Sequence, residues 1–191
     1  PKWPLSPRPE EVAAWDSLSP EDQDRFDHMM ATYAAMLDCV DQSLGRMVAG
    51  LKERGMLDDT LILFLSDNGG NAEGGPRGIT QGGEIGSPDS SVFLGMSWAT
   101  LNNTPFRRFK HFTHEGGISS PLIAHWPKGI AARGELRHQP GHLIDIMATC
   151  VELSGATYPE RFADHEILPM EGRSLAGGFA NDRREERTLL F

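Results

Sequence analysis

Cysteine is nearly absent: Cys39 and Cys150 are the two in the chain, and they form no C-x-x-C pair. Both fall in apolar-patterned, helix-like segments and read as buried free thiols, with a disulfide left open. The redox compartment stays open with it. No run approaches the roughly 18 apolar residues of a membrane span, so no span is expected. The first residues, "PKWPLSPRPEEV", have neither an initiator Met nor a signal-peptide core. The last, "RREERTLLF", stop inside what reads as a new strand. Both ends are therefore read as cut, and the chain as part of a longer protein. Positive charge is scarce, with 18 Lys and Arg against 27 Asp and Glu and a net charge of -9. That excludes a nucleic-acid surface as the main role and makes any local basic cluster informative. There is no H-E-x-x-H, no G-x-S-x-G and no internal repeat.

What remains is an ordinary globular composition, 39% hydrophobic and 24% charged over 191 residues, enough for one domain with a real core. Residues 1–18 read as an irregular approach. "SPEDQ" then starts a helix: Ser19 can cap, Pro20 suits the first position, and Glu21 and Asp22 sit at the positive end. Phe26, Met29, Met30, Tyr33, Leu37, Val40, Leu44, Met47, Val48 and Leu51 continue mostly at three- and four-residue steps, giving one apolar face. Lys52, Arg54 and Gly55 suit its end, and Gly45 and Gly50 are candidate kinks. Leu61–Leu65 is apolar on both faces, which predicts a central strand in a covered sheet. A second strand is expected within Pro121–Pro127, a helix over His142–Gly155, and a further strand from Thr188 to Phe191. The glycine-rich stretch from Gly69 to about Thr104 is long for a loop, and part of it is expected to form a short hairpin. Helix followed by buried strand predicts an α/β fold with parallel strands.

Two clusters carry chemistry. In "TLILFLSDNGG" the strand runs straight into Asp67 and Asn68. Ligands bind at that end of strands in open α/β sheets. A carboxylate and an amide carbonyl are hard oxygen donors, suited to Ca²⁺ or Mg²⁺. An ordinary Asx turn is the competing reading. In "NTPFRRFKHFTHEGG", Arg107, Arg108, Lys110, His111 and His114 crowd five potential cations into an acidic protein. The patch could receive an anion, or be a solvated loop. Gly116 and Gly117 suggest a close approach of backbone to backbone. His111 and His114 lack a zinc context, and His125, His138 and His142 read as structural or surface residues.

Taken together, "YAAMLDCVDQSLGRMVAGLKERGMLDDTLILFLSDNGG", "NTPFRRFKHFTHEGGISSPLIAHWP", "DIMATCVELSGA" and "EGRSL" resemble the C-terminal part of the catalytic domain of type I sulfatases, the arylsulfatase family. The resemblance runs from about Tyr33 to Leu175. It implies an alkaline-phosphatase-like α/β sandwich with a mostly parallel central sheet covered by helices, present here as an incomplete fragment. Residues 176–191 would enter the C-terminal subdomain. It implies hydrolysis of a sulfate ester to an alcohol or phenol plus sulfate. Asp67 and Asn68 match the second pair of Ca²⁺ ligands, with Mg²⁺ less common. Lys110 matches the lysine that contacts the sulfate, and can help protonate the leaving oxygen. Glu115–Gly117 matches a structural EGG segment. Trp98 and Phe93 are candidates for lining a pocket rim formed by the loop Asn71–Thr100.

Departures accompany the match. The family nucleophile is a formylglycine made within C/S-x-P-x-R, and that motif is absent from these residues, as is the first pair of metal-binding acids. A basic residue expected after EGG-I is Ser119. The chain alone is therefore expected to be inactive. The alternatives are a phosphonate or phosphate monoester hydrolase of the same superfamily and a non-catalytic remnant of the fold. The expected substrate is a small-molecule or carbohydrate sulfate ester, with no nucleic acid. Family habit implies a periplasmic or secreted location (lysosomal or secretory in animals), with the cytoplasm as the alternative. Oligomeric state is not readable.

Overall fold

A computed structural model of the chain describes residues 4–180 and Thr188. Its contacts gather into two units. The first takes the chain up to Gly55 together with Leu63–Ile123, and the second takes Met56–Ile62 together with the chain from Ala124 onward.

The first unit is built on α1 (Pro20–Glu53), which begins as its sequence dictates. Ser19 accepts the Asp22 N–H on its side chain at 3.1 Å, Pro20 opens the helix, and Glu21 and Asp22 complement the exposed N–H groups of the first turn. The helix runs unbroken through Gly45 and Gly50. Its first half makes the core: Phe26 and Met29 are buried along with Val12, Ala99 and Phe109. In its second half Leu37, Val40 and Met47, which the pattern puts on one apolar face, are about half exposed, as is Met36. Cys39 lies on this half. Like Cys150, it is a free thiol and exposed, which corrects the expectation of burial. Period and apolarity reveal that a face is apolar; they do not reveal that this stretch of chain supplies its cover.

After α1 come β1 (Ile62–Leu65), an antiparallel hairpin of β2 (Ile79–Gly82) and β3 (Ser90–Phe93), α2 (Gly95–Asn102), the one-turn α3 (Glu115–Ile118) and β4 (Leu122–His125). The hairpin sits inside the glycine-rich stretch, pairing Ile79 with Phe93 and Gly82 with Ser90. Trp98 of α2 packs inward, donating from Nε1 to the Phe26 carbonyl at 3.1 Å, with its ring 6.3 Å from Phe26 and 6.4 Å from Trp15. These contacts tie the indole into the packing of the unit. Leu63–Leu65 of β1 and Leu122–Ile123 of β4 belong to one two-stranded sheet. Phe64 and Ile123 are 44% and 61% exposed, so these strands are not covered on both faces as their apolar character predicts. The other two sheets among the described residues are antiparallel pairs, and a larger parallel sheet is not formed there.

The second unit centres on α4 (Ile144–Ser154), ended by Gly155 in the left-handed region at φ 67°. Asp145, Ala148 and Thr149 are its buried positions. Asp145 accepts the His142 N–H at 3.0 Å on one carboxylate oxygen and the Arg173 N–H at 2.9 Å on the other. The Thr149 hydroxyl donates to the Asp145 carbonyl at 2.7 Å and accepts the Leu175 N–H at 2.8 Å. These bonds dock the "EGRSL" segment on the start of α4. A Cβ at Gly172 would lie 2.1 Å from the Ile144 carbonyl, so glycine is required there. The short pair β5 (Arg161–Phe162) and β6 (His165–Glu166) and the helix α5 (Ala176–Ala180) complete the unit. The strand expected over Thr188–Phe191 lies, apart from Thr188, outside the described residues.

Candidate active site

The β1 strand ends where its apolar residues end, and the chain turns on Ser66, whose hydroxyl donates to the Asn68 carbonyl at 2.8 Å. Asp67 is exposed and Asn68 half-buried at this tip. The Asn68 amide donates from Nδ2 to the Gly69 carbonyl at 2.9 Å, which leaves Oδ1 as its acceptor end. The two glycines that follow have a specific purpose. The Gly69 N–H donates to the Gly117 carbonyl at 3.0 Å, and a Cβ on Gly69 would stand 1.8 Å from the Gly116 carbonyl oxygen. The Gly70 N–H donates to Asn103 Oδ1 at 3.0 Å, and the Gly70 carbonyl accepts the Lys110 N–H at 3.1 Å. The Asp67–Asn68 turn is thus stitched to the basic segment by main-chain bonds.

That segment is shaped by the close approach its sequence suggests. Gly116 and Gly117 are buried, and added Cβ atoms would lie 2.0 Å from the Arg108 and Phe112 carbonyl oxygens respectively. The Gly116 N–H donates to the Arg107 carbonyl at 2.9 Å, closing the segment into a loop. Phe109 is buried and meets Phe112 edge-on at 5.3 Å. Arg108 and His111 have φ of 69° and 79°, so the backbone turns left-handed on either side of Phe109 and Lys110.

The five cations of the cluster do not act as one. The Arg108 guanidinium lies over the Phe112 ring at 4.9 Å. His114 precedes α3, its carbonyl accepts the Gly117 N–H at 2.7 Å, and its ring is 6.1 Å from Phe112. Arg107 is exposed. Lys110 and His111 instead face Glu73, with Glu73 Oε1 4.0 Å from Lys110 Nζ and 3.8 Å from His111 Nε2. The Lys110 side chain is one-third exposed, within reach of a solvent-borne anion. Sequence reasoning missed Glu73 and Asn103. Asn103 opens the quoted basic segment but carries no motif signal, and nothing in spacing links Glu73 to a lysine 37 positions later.

Asp67 and Asn68 have the right chemistry for a hard cation: one carboxylate and one amide oxygen, adjacent and accessible. They supply about two or three of the roughly six to eight oxygens that Ca²⁺ takes. Among the described residues no group of three or more His, Cys, Asp or Glu side chains comes together to hold a metal ion. The donor pair fits part of such a shell and leaves most of it unfilled.

The chain belongs to the sulfatase family: the family described as "Sulfatase" matches residues 4–156. Among its relatives is the arylsulfatase of Klebsiella aerogenes, 30% identical over 187 residues, a match taking in 92% of this chain and 40% of that protein. Mouse steryl-sulfatase is 31% identical over 83% of this chain and 22% of its own length. Human N-acetylgalactosamine-6-sulfatase is 32% identical over 80% of this chain and 24% of its own. Among solved structures, PsFucS1 sulfatase from Pseudoalteromonas sp. superposes with a TM-score of 0.51 at 34% identity, over 80% of this chain and 25% of that one. The chain therefore spans less than half the length of these relatives.

Proposed function

We propose that the complete protein hydrolyses a sulfate ester to an alcohol or phenol and inorganic sulfate. The observation that carries this reading is the hydrogen bond from the Lys110 N–H to the Gly70 carbonyl, two residues beyond Asn68. It ties the main chain of Lys110, whose side chain is one-third exposed, to the segment that follows the two hard oxygen donors. Family membership supplies the sulfate.

Asp67 and Asn68 would hold a divalent cation, Ca²⁺ in preference and Mg²⁺ as the alternative. When bound, such an ion polarises a sulfuryl oxygen and neutralises its charge. Lys110 binds the sulfuryl group through its ammonium and orients it toward the β1 tip. Charge remains on the sulfuryl oxygens and builds on the leaving oxygen during cleavage, so a fixed ammonium favours the transition state. At about 4 Å and an effective dielectric near 20, a full charge contact is on the order of 4 kcal/mol before desolvation. Lys110 also holds a proton within reach of the leaving oxygen. The nucleophile, a formylglycine on the family pattern, comes from outside these 191 residues, in which C/S-x-P-x-R is absent.

The same reading makes the chain the C-terminal portion of the catalytic domain, with 176–191 entering the next subdomain. In the complete protein β1 and β4 become interior strands of a mostly parallel, helix-covered sheet of the alkaline-phosphatase-like kind. The apolar Phe64, Ile123, Met36, Leu37, Val40 and Met47 left exposed here support it. The substrate is a small-molecule or carbohydrate sulfate ester, met in the periplasm or outside the cell. No helix among the described residues is long and apolar enough to cross a membrane.

The test is sulfate release from a chromogenic aryl sulfate by the complete protein, with and without a chelator. Metal-dependent release of sulfate is expected. Release of phosphate from the matching aryl phosphate, with none from the sulfate, would reassign the reaction to a phosphomonoester hydrolase.

A further inference from the structure

The Glu73 carboxylate is the acidic group that meets the proposed sulfate-contacting lysine. Its place is fixed locally. The Asn71 side chain accepts the Glu73 N–H at 2.9 Å, forming a turn directly after the glycine pair. From that turn a single carboxylate oxygen, Oε1, approaches both Lys110 Nζ at 4.0 Å and His111 Nε2 at 3.8 Å. The stretch from Gly70 to Glu73 therefore meets Lys110 at two points, firmly at the backbone and loosely at the amine. The Gly70 carbonyl takes its backbone N–H at 3.1 Å, and Glu73 faces its amine. Among the described residues this is the ion pair that Lys110 makes. Its members are one-third and one-half exposed, so water screens it and its strength is that of a surface pair.

A carboxylate beside an anion-binding amine has two opposed effects. It orients the amine, and it competes with the incoming anion for the same charge. We propose, resting on the sulfate reading of this site, that Glu73 is a positioning residue for Lys110 and the internal competitor of sulfate. It aims the ammonium toward the Asp67–Asn68 turn and keeps free sulfate, the product, from being held too tightly there. The sulfuryl group of a substrate shares Lys110 with Glu73 or displaces it; no bond is made or broken in the exchange.

The experiment uses the complete protein and reads inhibition of aryl sulfate turnover by inorganic sulfate. Glu73→Gln removes the charge and keeps the shape. It should lower the inhibition constant for sulfate by about twofold to fivefold, the range a surface ion pair allows, and lower KM in the same direction while kcat falls. Glu73→Asp restores the charge and should return sulfate inhibition toward the wild-type value. In a Lys110→Ala background the same Glu73→Gln change should leave sulfate inhibition of the residual turnover unaltered, because the effect acts through that amine. Loss of a merely structural contact would raise KM and the inhibition constant together with a lowered melting temperature, and that result overturns the proposal. So does an unchanged inhibition constant in Glu73→Gln, or an equal shift in the Lys110→Ala background. Should the wild type turn over the sulfate ester and Glu73→Gln behave identically, this inference alone falls. If the wild type releases no sulfate, the reading of the whole site falls first.

Discussion

Lys110 and Asp145 are both charged residues that tie distant stretches of chain together, and they differ in what is left over. Asp145 is fully buried; its two carboxylate oxygens accept the His142 and Arg173 N–H groups, and Thr149 beside it accepts the Leu175 N–H. Lys110 gives its backbone N–H to Gly70 but keeps its ammonium one-third exposed, shared loosely with Glu73 at 4.0 Å. Asp67, likewise, ends an apolar strand with its carboxylate exposed. A buried carboxylate that accepts main-chain N–H groups from two stretches of the chain serves the fold. A charge held firmly at the backbone and loosely at its tip is available to a ligand.

The comparison can be broken from either side, and stability should show the larger effects. Asp145→Ala leaves the two N–H groups of His142 and Arg173 without the carboxylate and should cost about 2–5 kcal/mol of stability, read by chemical denaturation of the complete protein. Gly117→Ala drives a methyl toward the Phe112 carbonyl and should cost roughly 1–3 kcal/mol, with turnover falling as the Lys110 loop shifts. Thr149→Val removes the acceptor of the Leu175 N–H and should cost about 1 kcal/mol, with turnover per folded molecule unchanged. Smallest of all, calorimetry should find Ca²⁺ binding to these 191 residues alone weak or absent, because Asp67 and Asn68 offer about two or three of the roughly six to eight oxygens needed. Tight binding would mean that further ligands lie within this chain.

Much of this was legible in the sequence where one local rule decides. Ser19-Pro20-Glu21-Asp22 announces the helix start, Gly155 its counterpart at the end of α4, and Gly116-Gly117 the close approach that the carbonyls of Arg108 and Phe112 impose. The order of Asp67, Asn68 and Lys110 marks the candidate site, and the main chain of Lys110 is bonded to Gly70, two residues beyond Asn68. Long-range features stayed hidden. Asp145 reads as an ordinary acid in a first helical turn, and only the folded chain reveals that it receives a main-chain N–H 28 residues away. The α2 helix went unseen because Gly95–Asn102 lies in a glycine-rich stretch and has no side-chain cap. The burial expected of Cys39, and of both faces of β1, failed because apolar patterning reports a face to be covered and says nothing of which segment covers it.

Charge at Lys110 is proposed to serve sulfate chemistry, while the buried clip at Asp145 serves the fold. The most direct measurement compares turnover of a chromogenic aryl sulfate and melting temperature for Lys110→Ala and Asp145→Ala in the complete protein. A crossed result is expected. Lys110→Ala loses about tenfold or more in turnover with its melting temperature nearly unchanged, because a lysine at an anion site acts on the transition state more than on packing. Asp145→Ala loses melting temperature, with turnover per folded molecule close to wild type. Near-normal turnover in Lys110→Ala, accompanied by a fall in melting temperature, would return the basic segment to a structural role.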